Sequence, residues 1–161
     1  GSGCLAVTLS NHLPSDVIGI DSSREAIIVA KKNNILTSNE VTFINSKIEE
    51  YTPLEPFDLI VSNPPYIPKK DKIKVDKNVL ENEPHSALFI DSDPIYFYKI
   101  IFNFAKKHLN KKGKVYFEIN QNYVDQIKVL LKETNFEVVK DFYGNDRFVI
   151  IKNINKNYEK N

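Results

Sequence analysis

Residues Phe57–Pro68 read FDLIVSNPPYIP: an apolar run over Phe57–Ser62 that stops at Asn63-Pro64-Pro65-Tyr66. The run is nearly continuous rather than alternating, as in a strand buried on both faces of a sheet. Proline cannot donate to a ladder, so Pro64 and Pro65 end the strand and stiffen the backbone that follows. In an open α/β sheet, ligands sit beyond the carboxyl ends of the strands, which makes this tip a candidate site. Asn63 offers a side-chain carbonyl, the Pro64 peptide carbonyl is a second acceptor, and Tyr66 adds a flat ring. Two acceptors and a ring suit a planar NH2 group. A plain strand-ending turn is the alternative, since Asn-Pro is common in turns. It leaves a tyrosine behind two prolines unexplained.

Outward from this stretch, short apolar blocks at Asp16–Ile20, Val41–Asn45 and Gly113–Ile119 read as further strands. Helical patterns separate them. Ser23–Asn33 opens on a capping serine and carries Ala26, Ile27 and Ala30 at helical spacing. Pro94–Leu109 has Tyr96, Ile100, Phe104 and Leu109 as its stripe, and Val124–Lys132 fits a third helix. Strands alternating with helices predict the α/β class, a sheet covered by helices. The last two strands differ: Phe136–Phe142 and Arg147–Lys152 flank YGND, where Gly144 and Asn145 are available for unusual backbone angles, and predict an antiparallel hairpin. The polar tail from Asn153 has little to bury. Pro68–Pro84 is charged, aperiodic and longer than most loops, a length that usually accompanies function or disorder.

The chain has 161 residues, enough for one domain that buries about 70% of its unfolded surface. Its 22 basic and 21 acidic residues leave a formal charge of +1, a balance that advertises neither a nucleic-acid nor a membrane surface. The single cysteine, Cys4, excludes an intramolecular disulfide and suits a reducing compartment, so the cytoplasm is expected. No apolar run reaches the length of a membrane span. The chain holds no methionine and opens on Gly1-Ser2-Gly3, which reads as a fragment or a processed chain.

GSGCLAVTL at the start places glycines ahead of a helix, letting backbone approach a ligand and exposing helix N–H groups to it. Alone this is a weak signal, equally a cloning scar or an ordinary turn. Asp21 strengthens it, ending the strand block VIGID, where a carboxylate can accept both hydroxyls of a ribose. Its bland alternative is a cap for the helix that follows. His12, His85 and His108 lack metal-ligand spacing, and no metal is expected. The lysine runs KKDKIK and KKHLNKKGK read as solvated faces rather than nucleic-acid surfaces.

Taken together, GSGCLA, FDLIVSNPPYIP, ENEPHSALF with a helix after it, and DFYGNDRFVI resemble the S-adenosylmethionine-dependent protein-(glutamine-N5) methyltransferases that act on peptide chain release factors. The likeness spans Gly1 to Lys152. The Glu83-Pro84 and Ala87-Leu88 pairs and the closing D-x-x-G-x-D-R-x-V pattern set it apart from most nucleic-acid aminomethylases. The resemblance implies a Rossmann-like class I methyltransferase sheet over residues 1–152, lacking its first central strand ahead of Gly1, with 153–161 as a tail. It implies S-adenosylmethionine as cofactor, with Gly1, Ser2 and Gly3 on the end of the glycine motif, Asp21 on the ribose acid and Ile48 facing the adenine. Asn63 to Tyr66 fall on the substrate clamp, with Asn63 also at the cofactor. Lys47 stands where the family is usually acidic, and Ile48 where it often has an aromatic. An upstream helical domain that docks the release factor is also implied.

The reaction expected on that basis is methyl transfer to the side-chain amide nitrogen of a glutamine in a release factor. Asn63, Pro64 and Tyr66 are the catalytic residues and Pro65 completes the substrate clamp. Other outcomes remain open: N-methylation of a ribosomal-protein glutamine or a nucleic-acid amino group, or a catalytically dead binding fragment. Neither a membrane nor a nucleic acid is an expected partner.

Overall fold

The computed structural model describes residues 1–35, 40–69, 72, 77, 85–90 and 93–154. The chain divides into two compact units, residues 1–52 and 53–161.

The first unit is helix α1 (Cys4–His12), strand β1 (Val17–Asp21), helix α2 (Arg24–Asn34) and strand β2 (Val41–Asn45). β1 and β2 pair in parallel, from Val17 opposite Val41 to Asp21 opposite Asn45. Both helices pack on this two-stranded sheet. The predicted capping serine is in place: the Ser23 hydroxyl accepts the Ala26 N–H at 3.1 Å. Satisfying an orphan donor in this way is worth about 1 kcal/mol to a helix. Ile27 and Ala30 form the buried face of α2.

The second unit is built on a four-stranded sheet, order β3-β6-β8-β7. Here β3 is Phe57–Ser62, β6 Leu109–Glu118, β7 Asn135–Lys140 and β8 Asp146–Asn153. β3 and β6 run parallel, with Ser62 opposite Phe117. β8 runs antiparallel to β6 and β7, so the final hairpin is as predicted. Helix α4 (Tyr96–His108) and helix α5 (Val124–Leu131) belong to the same unit. Between β3 and α4 lie β4 (Ile67–Pro68), helix α3 (His85–Leu88) and β5 (Phe89–Ile90), and β4 pairs in parallel with β5. The core gathers Tyr98, Ile101, Phe102, Phe104 and Ala105 of α4 with Val115 and Phe117 of β6, Ile127 and Leu131 of α5, and Val149 and Ile151 of β8.

Several expectations change. Strands β1 and β3 are only partly buried, with Asp58 exposed and the other residues of β3 intermediate. Their continuous apolar runs therefore do not mark strands shielded on both faces here. In β6 burial alternates instead, with Val115 and Phe117 buried and continued by Ile119 just beyond the strand, one face against the core. Of the predicted stripe of α4, Phe104 is buried, but Tyr96 is exposed and Ile100 only half-buried, and Tyr98, Ile101, Phe102 and Ala105 face inward. The helix begins at Tyr96, and from there the i, i+3, i+4, i+7 set that meets the sheet starts at Tyr98. Leu109 is buried as the first residue of β6, not as the end of the helix. At the hairpin turn only Gly144 takes a positive φ, 83°, and Asn145 does not. β8 runs to Asn153 and Ile154 is buried beyond it. Most of Pro68–Pro84, with the Glu83-Pro84 pair, and the tail from residue 155 lie outside the described residues.

Candidate functional site

In the first unit the glycine turn is set by packing. Gly3 is the N-cap of α1 with φ 77°, and a Cβ there would meet the Ala30 Cβ at 2.7 Å and the Phe43 ring at 3.0 Å. Only glycine enters that conformation without strain and fits that gap. The Asn33 side chain, from the last turn of α2, donates to the Ser2 carbonyl at 2.9 Å and holds the turn against the helix. Asn33 and Phe43 are therefore supports of the turn that the sequence reading missed. An asparagine near a helix end and an aromatic in a strand carry no local signal of such a role.

Asp21 sits at the carboxyl end of β1. One carboxylate oxygen accepts the Ser23 N–H at 2.8 Å, and the other meets the Gly1 backbone nitrogen. The N-cap of α2 is Ser23, so Asp21 does not cap the helix itself but supports its start through the Ser23 N–H, and its carboxylate keeps lone pairs for further donors. The side chain retains 26% exposure. Gly1, Ser2, Gly3 and Asp21 are thus gathered at one turn. Ile48 lies half-buried in the turn after β2, and the neighbouring Lys47 pairs with Glu50 at 3.2 Å. Its unusual lysine is thereby matched locally.

In the second unit, Asn63-Pro64-Pro65-Tyr66 follows β3 at its carboxyl end. Asn63 is exposed, Pro64 buried, and Pro65 and Tyr66 are half-buried. The prolines thus anchor the turn while Asn63 reaches solvent. Burial, then the charge of Glu118, raises the Tyr66 phenol above its ordinary range, while Arg147 acts in the opposite direction. Tyr66 is a neutral phenol and not a base at any ordinary pH. Tyr98, almost fully buried, donates its hydroxyl to the Glu118 carbonyl at 3.0 Å and sets its ring edge-on to Phe117 at 5.3 Å. Burial raises its phenol too.

The closing D-x-x-G-x-D-R pattern has a structural meaning. Asp141 accepts from the backbone N–H groups of Tyr143 and Asn145 at 2.9 and 3.0 Å, and from the Arg147 guanidinium at 3.3 Å. Gly144 supplies the left-handed residue. The Ile119 N–H donates to the Arg147 carbonyl at 2.8 Å, fixing the start of β8 to the end of β6. Glu118, Arg147 and Tyr98, absent from the sequence-based site, thus lie within electrostatic reach of Tyr66. They come from elements distant in sequence and met only through the strand order.

Among the described residues, no group of three or more histidine, cysteine, aspartate or glutamate side chains is placed to hold a metal, and no helix is long and apolar enough to cross a membrane.

The family model described as Methyltransferase small domain matches residues 1–89, more than half of the chain. The chain belongs to the methyltransferase small domain family. Among curated relatives of this methyltransferase chain, the release factor glutamine methyltransferase of Flavobacterium psychrophilum is 44% identical over 92% of the chain and 54% of the relative. That of Bacteroides thetaiotaomicron is 38% identical over 92% of the chain and 56% of the relative. The chain spans about half the length of the curated relatives it matches. Among solved structures, a methyltransferase from Pyrococcus furiosus superposes with TM-score 0.66 at 19% identity, covering 93% of this chain and 69% of the other. This likeness concerns the fold, which is α/β as predicted.

Proposed function

We propose that this chain carries the catalytic half of an enzyme that methylates the side-chain amide nitrogen of a glutamine in a peptide chain release factor. The observation that carries the reading is the tip of β3: an exposed Asn63 on a turn anchored by buried Pro64, with the half-buried neutral Tyr66 behind it. The names of the relatives at 35–44% identity support the substrate class. A release factor works in the cytoplasm, where this reading puts the chain.

The residues present fit S-adenosylmethionine. The turn at Gly3 has no room for a side chain, and Asp21 keeps carboxylate lone pairs and exposure suited to ribose hydroxyls. Gly1, Ser2, Gly3 and Asp21 are the holding residues in this reading, with Ile48 against the purine. Bound there, the cofactor supplies a methyl group made electrophilic by its sulfonium.

An amide nitrogen is a poor nucleophile, because its lone pair is delocalised into the carbonyl. Positioning must therefore supply much of the rate. The Asn63 side-chain carbonyl and the Pro64 backbone carbonyl accept the two N–H bonds of the glutamine amide and aim its nitrogen. The same acceptors stabilise positive charge as it develops on that nitrogen. Pro65 keeps the turn stiff, and the Tyr66 ring covers the amide plane. No residue has to act as a strong base, since the product nitrogen sheds its proton once the N–C bond has formed. This agrees with a Tyr66 phenol that does not ionise near neutrality.

Asn63→Ala tests the reading. Loss of one charge-stabilising acceptor, with misorientation, is expected to cost about 3 kcal/mol in kcat/KM, roughly 100-fold. Thermal unfolding should hardly change, since the side chain is exposed. Near-normal methyl transfer by the variant would remove Asn63 from the clamp.

A further inference from the structure

The turn that joins β7 to β8 presents Phe142 and Tyr143 to solvent, at 108% and 91% exposure. Two adjacent aromatic rings held out in water are an uncommon use of apolar surface, and such patches mark interaction sites. Their backbone is built for it. Asp141 accepts from Tyr143, Asn145 and Arg147, the Gly144 N–H returns to the Asp141 carbonyl at 3.0 Å, and the Asp141 N–H donates to the Asn145 carbonyl at 2.8 Å. Lys140 closes the base of the turn on the Gly144 carbonyl at 2.9 Å and on Asp146 at 3.2 Å. A turn fixed this firmly loses little entropy when its rings are covered.

Strand direction gives the turn its neighbourhood. β3 and β6 run parallel and β8 runs antiparallel to β6, with Phe148 opposite Glu118. The turn before β8 therefore lies at the same end of the sheet as the carboxyl ends of β3 and β6. That is the end from which Asn63 to Tyr66 project, and Arg147, at the foot of the turn, acts electrostatically on Tyr66. A polypeptide whose glutamine enters the clamp can lay a flanking segment along this end of the sheet, from β3 across β6 to the turn before β8.

We propose that Phe142 and Tyr143 form a docking surface for the polypeptide segment next to the acceptor glutamine of the protein substrate. This rests on the release-factor reading above. The rings act as rigid anchors of the kind that dominate protein interfaces, and they set where the substrate lies. They take no part in the chemistry.

The test measures binding of a fluorescently labelled bacterial peptide chain release factor to the full chain by anisotropy, in the presence of S-adenosylhomocysteine. Phe142→Ser with Tyr143→Ser is expected to weaken binding at least tenfold while leaving the thermal midpoint and the affinity for S-adenosylhomocysteine unchanged. The exchange Phe142→Tyr with Tyr143→Phe keeps both ring faces, and binding within about twofold of the parent is expected. Equal binding by the serine pair, or a tenfold loss in the exchanged pair, would overturn the docking surface while leaving the substrate reading in place. A parent chain that binds no release factor counts against both. A loss confined to a labelled single-stranded oligonucleotide would assign the rings to nucleic acid and overturn the proposal.

Discussion

Gly3→Ala puts the packing of the cofactor-side turn to a quantitative test. Gly3 has φ 77°, a region where an L side chain costs about 1–2 kcal/mol. The added Cβ would lie 2.7 Å from the Ala30 Cβ, 3.1 Å from the Ala30 Cα and 3.0 Å from the Phe43 ring. An alanine has no rotamer by which to withdraw, so relief requires movement of α2 or of the turn, and overpacking of this kind costs about 1–3 kcal/mol. The sum is about 2–5 kcal/mol, a large part of the 5–15 kcal/mol by which a domain is usually stable. Urea and thermal unfolding measure the loss, and calorimetry with S-adenosylhomocysteine measures what happens to the turn as a binding element. Adding Ala30→Gly separates the two terms. It removes the closest contact but not the φ strain, and costs about 1 kcal/mol in helix propensity on its own. The double variant is therefore expected to show a favourable coupling of about 1 kcal/mol or more. Gly3→Ala within 0.5 kcal/mol of the parent, with undiminished binding, would refute the packing account of this turn (about the scatter of a neutral surface change).

Three further outcomes are expected. Asp21→Ala should weaken S-adenosylmethionine and S-adenosylhomocysteine equally, by about 1.5–3 kcal/mol for hydrogen bonds to a charged acceptor, since ribose contacts are common to both; unchanged calorimetric affinity would leave Asp21 as a support for Ser23 alone. Tyr98→Phe removes the buried donor to the Glu118 carbonyl and should cost about 1–3 kcal/mol in urea unfolding; no change would mean that water takes the donor's place. Although burial pushes the Asp141 carboxyl up, the hydrogen bonds from Asn145, Tyr143 and Arg147 outweigh it and hold the group below its ordinary 3.8. Its folded value is thus depressed, so its contribution is fully present above about pH 3.8 and fades as pH falls through the folded value. Asp141→Asn should accordingly lower the thermal midpoint at pH 6, with the gap to the parent closing toward pH 2; a gap independent of pH would refute the charge-based account.

Much of the fold was legible because it rests on local signals. The apolar runs over Val41–Asn45 and Phe57–Ser62, the Ser23 cap and the glycine of the YGND turn each act within a few residues of themselves. The helix stripe over Tyr96–His108 was partly misphased because an almost wholly apolar sequence offers several faces, and only the sheet decides which is buried. The depth of burial of β1 and β3 was overread for a related reason: a continuous apolar run reports composition, and not what covers it. Within the site, Asn63 to Tyr66 and Asp21 stood out because prolines and a strand-end carboxylate are unusual where they occur. Asn33, Phe43, Tyr98, Glu118 and Arg147 did not. Their roles arise from contacts across 20 or more residues, as Tyr98 with Glu118, or from a packing gap that only coordinates reveal. The closing D-x-x-G-x-D-R pattern was recognised as a family mark, yet its reason, a carboxylate collecting the turn's donors, needed the hydrogen bonds themselves.

The most direct measurement is mass spectrometry of a release factor incubated with the chain and S-adenosylmethionine, with fragmentation to locate any added methyl group. The account predicts a single methyl group on the side-chain amide nitrogen of one glutamine, formed by the parent chain and formed about 100-fold more slowly by Asn63→Ala. A methyl group on any other residue, or transfer by Asn63→Ala at the parent's rate, would contradict it.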